Sequence, residues 1–286
     1  MKPVVRALAD AARLLSATSD TARLDAELLM AEALGIERDR LLLAPPNGPV
    51  PERFAAMLER RAAGEPVAYI TGRRAFWNIE LGVGPGVLIP RPDSEVLIAS
   101  ALEHFDGGGG GGGEGKGGEG GPRRILDLGT GPGTLLLAAL DLWLDATGIG
   151  VDSSEAALDY ARANAARLGL ADRAEFRLGD WAEGISEKFD LILCNPPYVA
   201  DTAELGPGVL EHEPPEALFA GAEGLDAYRV LAPQLPSLLA PNGLAAVEIG
   251  ADQADGATAL LCRDGLACRL ANDLAGRPRA LLLTWV

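Results

Sequence analysis

The chain has 286 residues, of which 48% are hydrophobic, and it carries a formal net charge of −16 at pH 7. This length predicts one large or two smaller domains, and the apolar share argues against global disorder. The acidic balance argues against a surface made to hold phosphate backbones or anionic lipids, so neither nucleic acid nor a membrane is an expected partner.

Cysteine usage and the N-terminus both predict a cytoplasmic protein. The cysteines Cys194, Cys262 and Cys268 form no Cys-x-x-Cys pair, and their odd number is typical of reduced thiols. The first residues lack the continuous apolar stretch and the cleavage site of a signal peptide. No window approaches the roughly 18 uninterrupted apolar residues of a membrane-spanning helix.

Residues 1–75 predict a small helical domain that is joined to a second domain by a β-hairpin. Apolar residues recur at helical spacing in Val4–Leu15, Thr21–Leu34 and Glu52–Ala63, and Gly35 stands where a helix should end. The period then changes over residues 76–90, where apolar residues alternate roughly among glycines and prolines. That pattern favours two short strands and a turn.

The segment Gly107–Gly121 is dominated by glycine, which occupies twelve of its fifteen positions. So many glycines lose too much entropy on ordering to form a fixed structure, so we expect a flexible tether. It precedes the first strand of the second domain and should therefore lie at the edge opposite the carboxyl ends of the strands.

From residue 91 to residue 286, strand-like and helix-like stretches alternate. This alternation predicts an α/β domain with a mostly parallel sheet of seven strands, covered by helices such as Thr134–Leu144 and Ser154–Leu168. Ligands of such sheets bind beyond the carboxyl ends of the strands. The predicted strands are Arg124–Leu128, Ile149–Val151, Ala174–Leu178, Asp190–Cys194, Leu244–Ile249, Cys268–Ala271 and Ala280–Trp285.

A glycine-rich loop follows the first of these strands. Glycines at alternate positions between a strand and a helix permit a tight turn and close approach of a ligand. Pro132 removes one backbone donor, which favours a nucleoside carrying an amino acid over a pyrophosphate. A tight turn without a ligand is the alternative. The predicted cofactor-binding residues of the loop are Gly129, Thr130, Gly131, Pro132 and Gly133.

Acidic residues end the next two strands. Asp152 follows the second strand and is placed to accept the two ribose hydroxyls of a nucleoside, although Asp is also a common helix cap. Asp180 follows the third strand and could accept a hydrogen bond from the exocyclic amine of adenine. Trp181 could flank the adenine ring or belong to the core.

The fourth strand ends in Asn195-Pro196-Pro197-Tyr198. The Asn195 side-chain oxygen and the Pro196 carbonyl can accept both hydrogens of a planar NH2 group, while Pro197 and Tyr198 complete a rigid cup around it. Together with the other loops, the motif predicts a methyltransferase that uses S-adenosylmethionine, with Asn195 also near the cofactor. Asn195, Pro196 and Tyr198 are the predicted catalytic residues. Such a transfer depends on alignment, and no general base is evident or required.

These motifs, together with several in the N-terminal block, resemble the HemK/PrmC family of protein-(glutamine-N5) methyltransferases over nearly the whole chain. The resemblance implies a Rossmann-like class I methyltransferase fold and S-adenosylmethionine as cofactor. It also implies that domain 1–75 recognises class 1 peptide-chain release factors, and that domain 91–286 methylates the glutamine of their Gly-Gly-Gln motif. The matching segments are residues 25–29, 64–72, 76–77, 88–95, 127–133, 195–198, 212–214 and 273–276.

Alternatives remain open at this stage. Asn-Pro-Pro-Tyr also occurs in enzymes that methylate adenine N6 or guanine N2 of nucleic acids, and another protein glutamine or a non-catalytic scaffold would be compatible with the same fold. Arg91 could line the pocket or form an ion pair with Asp93 or Glu95. Glu248, at the end of the fifth strand, could support the site without touching its ligands or be structural. His104 and His212 lie far apart, so no metal site is expected, and a monomer is expected.

Overall fold

The computed structural model describes residues 2–106, 120–206 and 208–286. Most of the glycine-rich segment, for which we predicted a tether, lies outside the described residues. The chain divides into a helical unit and a sheet unit. The helical unit runs to Arg73 and also includes Val83–Pro85 and Leu205–Glu213. Within the described ranges, no helix has the length and apolar content needed to cross a bilayer.

The helical unit is built on the amphipathic helices that the apolar spacing predicts. Helix α1 buries Val4, Leu8, Ala11 and Leu15, which recur at spacings of three and four residues. Gly35 ends α2 in the left-handed region, with φ of 66°. The helices of this unit are α1 (Pro3–Leu15), α2 (Ala22–Leu34), α3 (Arg38–Leu43), α4 (Glu52–Ala62), α5 (Val67–Thr71) and α9 (Val209–His212).

Buried carboxylates on α2 link the helices of this unit. Asp25 accepts hydrogen bonds from Ser19 Oγ at 2.7 Å, Thr21 Oγ1 at 2.9 Å and Arg61 Nε at 2.7 Å. Two other arginines bind Glu27, and although burial alone would raise the pKa of Glu27, their hydrogen bonds lower it. The signature at residues 25–29 therefore serves the packing of the helical unit, because buried charges are tolerated only when paired.

The hairpin lies a few residues earlier than predicted. Its strands are β1 (Arg73–Phe76) and β2 (Ile79–Gly82), whereas the predicted hairpin covered residues 76–90. Val87 and Ile89 are buried, but they lie in an irregular stretch in which glycine and proline prevent a regular ladder. The Gly82 backbone N–H donates to Asn164 Oδ1 at 2.7 Å, and residues Arg74–Gly82 belong to the sheet unit.

The sheet unit confirms the predicted α/β architecture. Within the described residues its main sheet has seven strands, in the order β5-β4-β3-β6-β7-β9-β8, and only β9 runs antiparallel to its neighbours. The strands are β3 (Arg124–Leu128), β4 (Thr147–Asp152), β5 (Ala174–Leu178), β6 (Phe189–Cys194), β7 (Leu239–Glu248), β8 (Leu266–Asn272) and β9 (Pro278–Trp285). The helices are α6 (Glu95–Asp106), α7 (Thr134–Leu142), α8 (Glu155–Leu168), α10 (Asp226–Leu231), α11 (Leu235–Leu238) and α12 (Ala254–Leu261).

The strand register brings the predicted functional loops to one edge of the sheet. On β3, Leu128 pairs with Val151 of β4 on one side and with Cys194 of β6 on the other. Cys194 also pairs with Val247 of β7. The residues that follow these positions along the chain therefore emerge side by side at the carboxyl ends of parallel strands.

The cysteines do not match the expectation of reduced thiols. Cys262, which follows α12, forms a disulfide with Cys268 of β8, and their Cα atoms are 5.6 Å apart. Among the described residues, only Cys194 is a free cysteine, and it is buried. A short turn returns the chain from the end of α12 to β8, which brings two cysteines six positions apart into bonding distance.

We expect Arg61→Ala to destabilise the helical unit. The substitution leaves the buried Asp25 carboxylate without its cationic partner, which should cost on the order of 1–3 kcal/mol. Urea unfolding followed by circular dichroism measures the change. Arg13→Ala is the matched control, since Arg13 forms only an exposed pair with Asp10 and should change stability by less than about 0.5 kcal/mol. Equal effects of the two variants would contradict the role given to Arg61.

Candidate active site

A cavity of about 690 Å³ opens where the strand-end loops meet, within the sheet unit. Its volume lies in the range of sites for small molecules and cofactors. Most of the predicted site residues line it, and so do several that we had not predicted. The predicted residues on its wall are Gly129, Thr130, Gly131, Pro132, Asp152, Asp180, Trp181, Asn195 and Pro197.

The glycine loop turns sharply at the wall of the cavity. Gly129 and Gly131 adopt φ values of 72° and 56°, which side-chain-bearing residues rarely adopt. Gly133 is not among the described residues that line the cavity. Gly133 has φ of 86° at the N-terminus of α7, a backbone conformation that favours glycine, and its contact with a cofactor stays a prediction.

Asp152, the last residue of β4, binds the backbone of the glycine loop and of the residue before α8. Its Oδ2 accepts from the Gly131 backbone N–H at 2.8 Å, and its Oδ1 accepts from that of Ser154 at 2.9 Å. The cap of α8 is Ser154, whose hydroxyl accepts from Ala157 N, so Asp152 is not the capping residue. Burial raises the pKa of Asp152. A carboxylate has about four lone-pair positions, so Asp152 can accept a ligand hydroxyl in addition to its backbone donors.

Asp127 also lines the cavity, although sequence reasoning gave it no role. It is fully buried and accepts hydrogen bonds from Thr130 Oγ1 at 2.6 Å and Leu136 N at 3.1 Å. Its Oδ1 has no hydrogen-bond partner among the described residues. Burial raises the pKa of Asp127 to about 7. An acidic residue two positions before the first glycine of the loop was the available signal.

Asp180 and Trp181 form another part of the wall. Trp181 has φ of 50° and also packs against the buried core of the sheet unit. Trp181 is therefore a residue of the cavity wall that also packs on the core, and its contact with an adenine ring stays a prediction.

The motif Asn195–Tyr198, called the acceptor motif after its predicted role, contributes two of its four residues to the wall of the same cavity. Asn195 and Pro197 line it, and the Asn195 side-chain nitrogen Nδ2 donates to Ser94 Oγ at 3.0 Å. Pro196 is buried. Neither Pro196 nor Tyr198 is among the described residues on the wall. Instead, the Tyr198 hydroxyl donates to Glu248 Oε1 at 3.2 Å.

A buried polar group around Glu248 supports this motif. Glu248 is fully buried, and burial raises its pKa to about 7 against the opposing hydrogen bonds. Arg279 nearby forms ion pairs with Asp93 at 3.1 Å and with Asp273 at 3.3 Å. The motif's own backbone is fixed by Gln253, whose Nε2 donates to the Tyr198 carbonyl at 2.9 Å. Sequence reasoning missed this support because its members are distant along the chain.

Arg91 lines the cavity beside Ser94. Of the two acids proposed as its partners, Asp93 pairs with Arg279, and Glu95 accepts from the Trp77 backbone N–H at 3.1 Å. Its place on the wall agrees with one of the two predicted roles, and the role of Arg91 stays a prediction.

The histidines lie away from the cavity wall. His104 is half-buried on α6, and His212 ends α9 in the helical unit. In the part of the chain that the structure describes, no cluster of three or more potential metal-binding side chains is found.

Comparison with known proteins identifies the family. A family model described as PrmC N-terminal domain matches residues 6–72, and one described as Methyltransferase domain matches residues 122–258. A release factor glutamine methyltransferase of Rhodospirillum rubrum is 43% identical over 94% of this chain and 81% of its own length. The chain belongs to the release factor glutamine methyltransferase family.

Further comparisons agree with this assignment. A family member from Caulobacter vibrioides is 42% identical over 94% of this chain and 92% of its own length. A solved methyltransferase structure from Pyrococcus furiosus superposes with a TM-score of 0.53 at 16% identity, covering 81% of this chain and 98% of that one. At that identity the likeness concerns the fold alone, and it confirms the predicted methyltransferase fold class.

We expect Glu248→Gln to remove a pH dependence of stability. The folded protein keeps a proton on Glu248 up to a pKa of about 7, against the ordinary value of 4.5, so between these pH values the folded state binds more protons than the unfolded state. The wild-type free energy of unfolding should therefore fall relative to the variant as pH rises through this window, by on the order of 1–3 kcal/mol.

Urea unfolding of both proteins at several pH values measures this difference. Asp127, whose pKa is also raised, is present in both proteins, so its contribution to the pH dependence cancels in the difference. Glu103→Gln is the control, because Glu103 is exposed. A difference between Glu248→Gln and wild type that stays constant across the window would contradict the raised pKa of Glu248.

Proposed function

We propose that the protein transfers the methyl group of S-adenosylmethionine to the side-chain amide nitrogen of the glutamine in the Gly-Gly-Gln motif of class 1 peptide-chain release factors. The observation that carries the proposal is the position of Asn195 on the wall of a cofactor-sized cavity, beside the glycine loop. The family of the chain supplies the acceptor, since its relatives are named release factor glutamine methyltransferases.

The cavity residues fit the chemistry of this cofactor. The unpartnered Asp127 Oδ1 is a buried acceptor that suits the ammonium of an amino acid, and Asp152 retains lone pairs for ribose hydroxyls. Asp180 and Trp181 offer an acceptor and a flat apolar surface for adenine. Among the alternating glycines, Pro132 lowers the count of backbone donors that a pyrophosphate would need. When bound, S-adenosylmethionine supplies a methyl group on a positively charged sulfur.

The acceptor motif deals with the low nucleophilicity of an amide. An amide nitrogen shares its lone pair with its carbonyl group. The Asn195 oxygen Oδ1 and the Pro196 carbonyl accept the two amide hydrogens, which fixes the nitrogen in the orientation that in-line attack requires. Pro197 and Tyr198 stiffen the cup. The methylated nitrogen carries a positive charge and loses its proton to water. Glu248 is not placed to take this proton, because it binds the Tyr198 hydroxyl and is not among the described residues that line the cavity.

We assign recognition of the release factor to the helical domain, residues 1–75, and methyl transfer to residues 91–286. The match of residues 6–72 to the PrmC N-terminal domain supports this division. We further propose a monomer that acts in the cytoplasm, where release factors work, without direct contact to nucleic acid. The net charge of −16 supports the last point.

Methyl transfer to a release factor tests the proposal. Purified protein with radiolabelled S-adenosylmethionine should label an unmodified class 1 release factor, and Gln→Ala in its Gly-Gly-Gln motif should abolish the labelling. Ribosomal RNA and duplex DNA, offered separately, should stay unlabelled. Labelling of nucleic acid without labelling of the release factor would overturn the proposed acceptor.

Asn195→Ala should separate catalysis from cofactor binding. Losing the acceptor oxygen should lower kcat by about 100-fold, as for other positioned polar groups in active sites. Affinity for S-adenosylmethionine, measured by calorimetry, should change by less than about threefold. Asn242→Ala is the matched control, since Asn242 is an exposed residue of β7. Unchanged kcat in Asn195→Ala would contradict the role of Asn195.

A further inference from the structure

An asparagine that binds an amide acceptor must present the correct end of its side chain. The carbonyl oxygen Oδ1 accepts hydrogen bonds, whereas Nδ2 only donates, and the two ends have nearly the same shape. A half-turn of the Asn195 amide would set its own hydrogens against those of the acceptor NH2. Some part of the protein must therefore hold the Asn195 amide in one of its two orientations.

Ser94 is the side chain in contact with the other end of Asn195. Nδ2 of Asn195 donates to Ser94 Oγ at 3.0 Å, across 101 positions of sequence. Ser94 is 2% exposed and ends the short turn Pro92–Ser94 that precedes α6. Both residues line the cavity, so this bond lies at the wall where the acceptor would bind.

A serine hydroxyl can donate or accept, and in the folded chain it is Nδ2 of Asn195 that lies on Ser94 Oγ. Ser94 therefore accepts from Asn195, and Oδ1 is the end that remains for the amide of the substrate. Glu248 agrees with this direction, because the Ser94 hydroxyl lowers the pKa of Glu248, as a hydroxyl proton directed towards that carboxyl group does.

We propose that Ser94 is a positioning residue, which takes up the NH2 group of Asn195 and thereby commits Oδ1 to the acceptor amide. At the far end of the same motif, Glu248 accepts from the Tyr198 hydroxyl at 3.2 Å. The role of Ser94 rests on the proposed function, because it presumes an amide acceptor.

Ser94→Ala tests the proposal by kinetics. It should lower kcat for release factor methylation by about tenfold, as expected for one lost orienting hydrogen bond, with KM for the release factor and affinity for S-adenosylmethionine changed by less than about twofold. Ser94→Thr, which keeps the hydroxyl, should restore most of kcat. The control is Ser100→Ala, which removes a buried serine from α6. Wild-type kcat in Ser94→Ala, or an equal loss in Ser100→Ala, would overturn the proposal.

A double-mutant comparison shows whether Ser94 acts through Asn195. In single-turnover assays with excess enzyme, adding Ser94→Ala to Asn195→Ala should cause no further loss. A further tenfold loss would overturn the proposal.

Side-chain amide NMR provides a readout that needs no acceptor. The Asn195 NH2 signals, identified by their absence in Asn195→Ala, should shift and exchange faster with water in Ser94→Ala. If the wild type fails to methylate a release factor, the proposed function falls while this measurement still tests the contact. NH2 signals that do not change in Ser94→Ala would overturn the positioning role.

Discussion

The parallel pairing of β3 with its two neighbours is the constraint on which the rest of the site depends. Leu128 pairs with Val151 and with Cys194, so the glycine loop emerges between Asp152 and Asn195. The next pairing, of Cys194 with Val247, adds Glu248 to the same row. A slip of one residue in any of these registers would turn the side chains to the opposite face and dismantle the site.

The meeting of these strand ends inside the protein also explains why two carboxyl groups of the site have raised pKa values. Asp127 and Glu248 both end or nearly end strands in the interior of the sheet, where burial raises the pKa of each carboxyl to about 7. Carboxylates in such places reduce stability at neutral pH, and proteins retain costs of this kind where function requires them. Here both groups provide hydrogen-bond acceptors in surroundings where water competes little. Asp127 is the proposed acceptor for a ligand, and Glu248 accepts from the Tyr198 hydroxyl of the acceptor motif.

The sequence allowed prediction of the parts of the site that are local in the chain. Alternating glycines, Asp152 and Asn195 each follow an apolar strand directly, and the parallel-sheet rule places strand ends together. The strand-end position also pointed to Glu248, but not to its contact with Tyr198, and Ser94 could not be found this way, since these contacts span 50 and 101 positions of sequence. Only the folded chain shows which distant polar groups lie behind it.

The errors of the sequence-based prediction have physical causes of the same kind. The hairpin was placed late because Val87 and Ile89 are apolar and buried without being in a strand. Counting cysteines suggested reduced thiols, but pairing depends on the turn between α12 and β8.

The most direct test of the account is a crystal structure of the protein with S-adenosylhomocysteine and an unmodified release factor. The account predicts that the glutamine amide nitrogen of Gly-Gly-Gln lies within hydrogen-bonding distance of both Asn195 Oδ1 and the Pro196 carbonyl, with Asn195 Nδ2 still on Ser94. A glutamine bound elsewhere, or an Asn195 side chain engaged by the cofactor instead of by the glutamine, would contradict it.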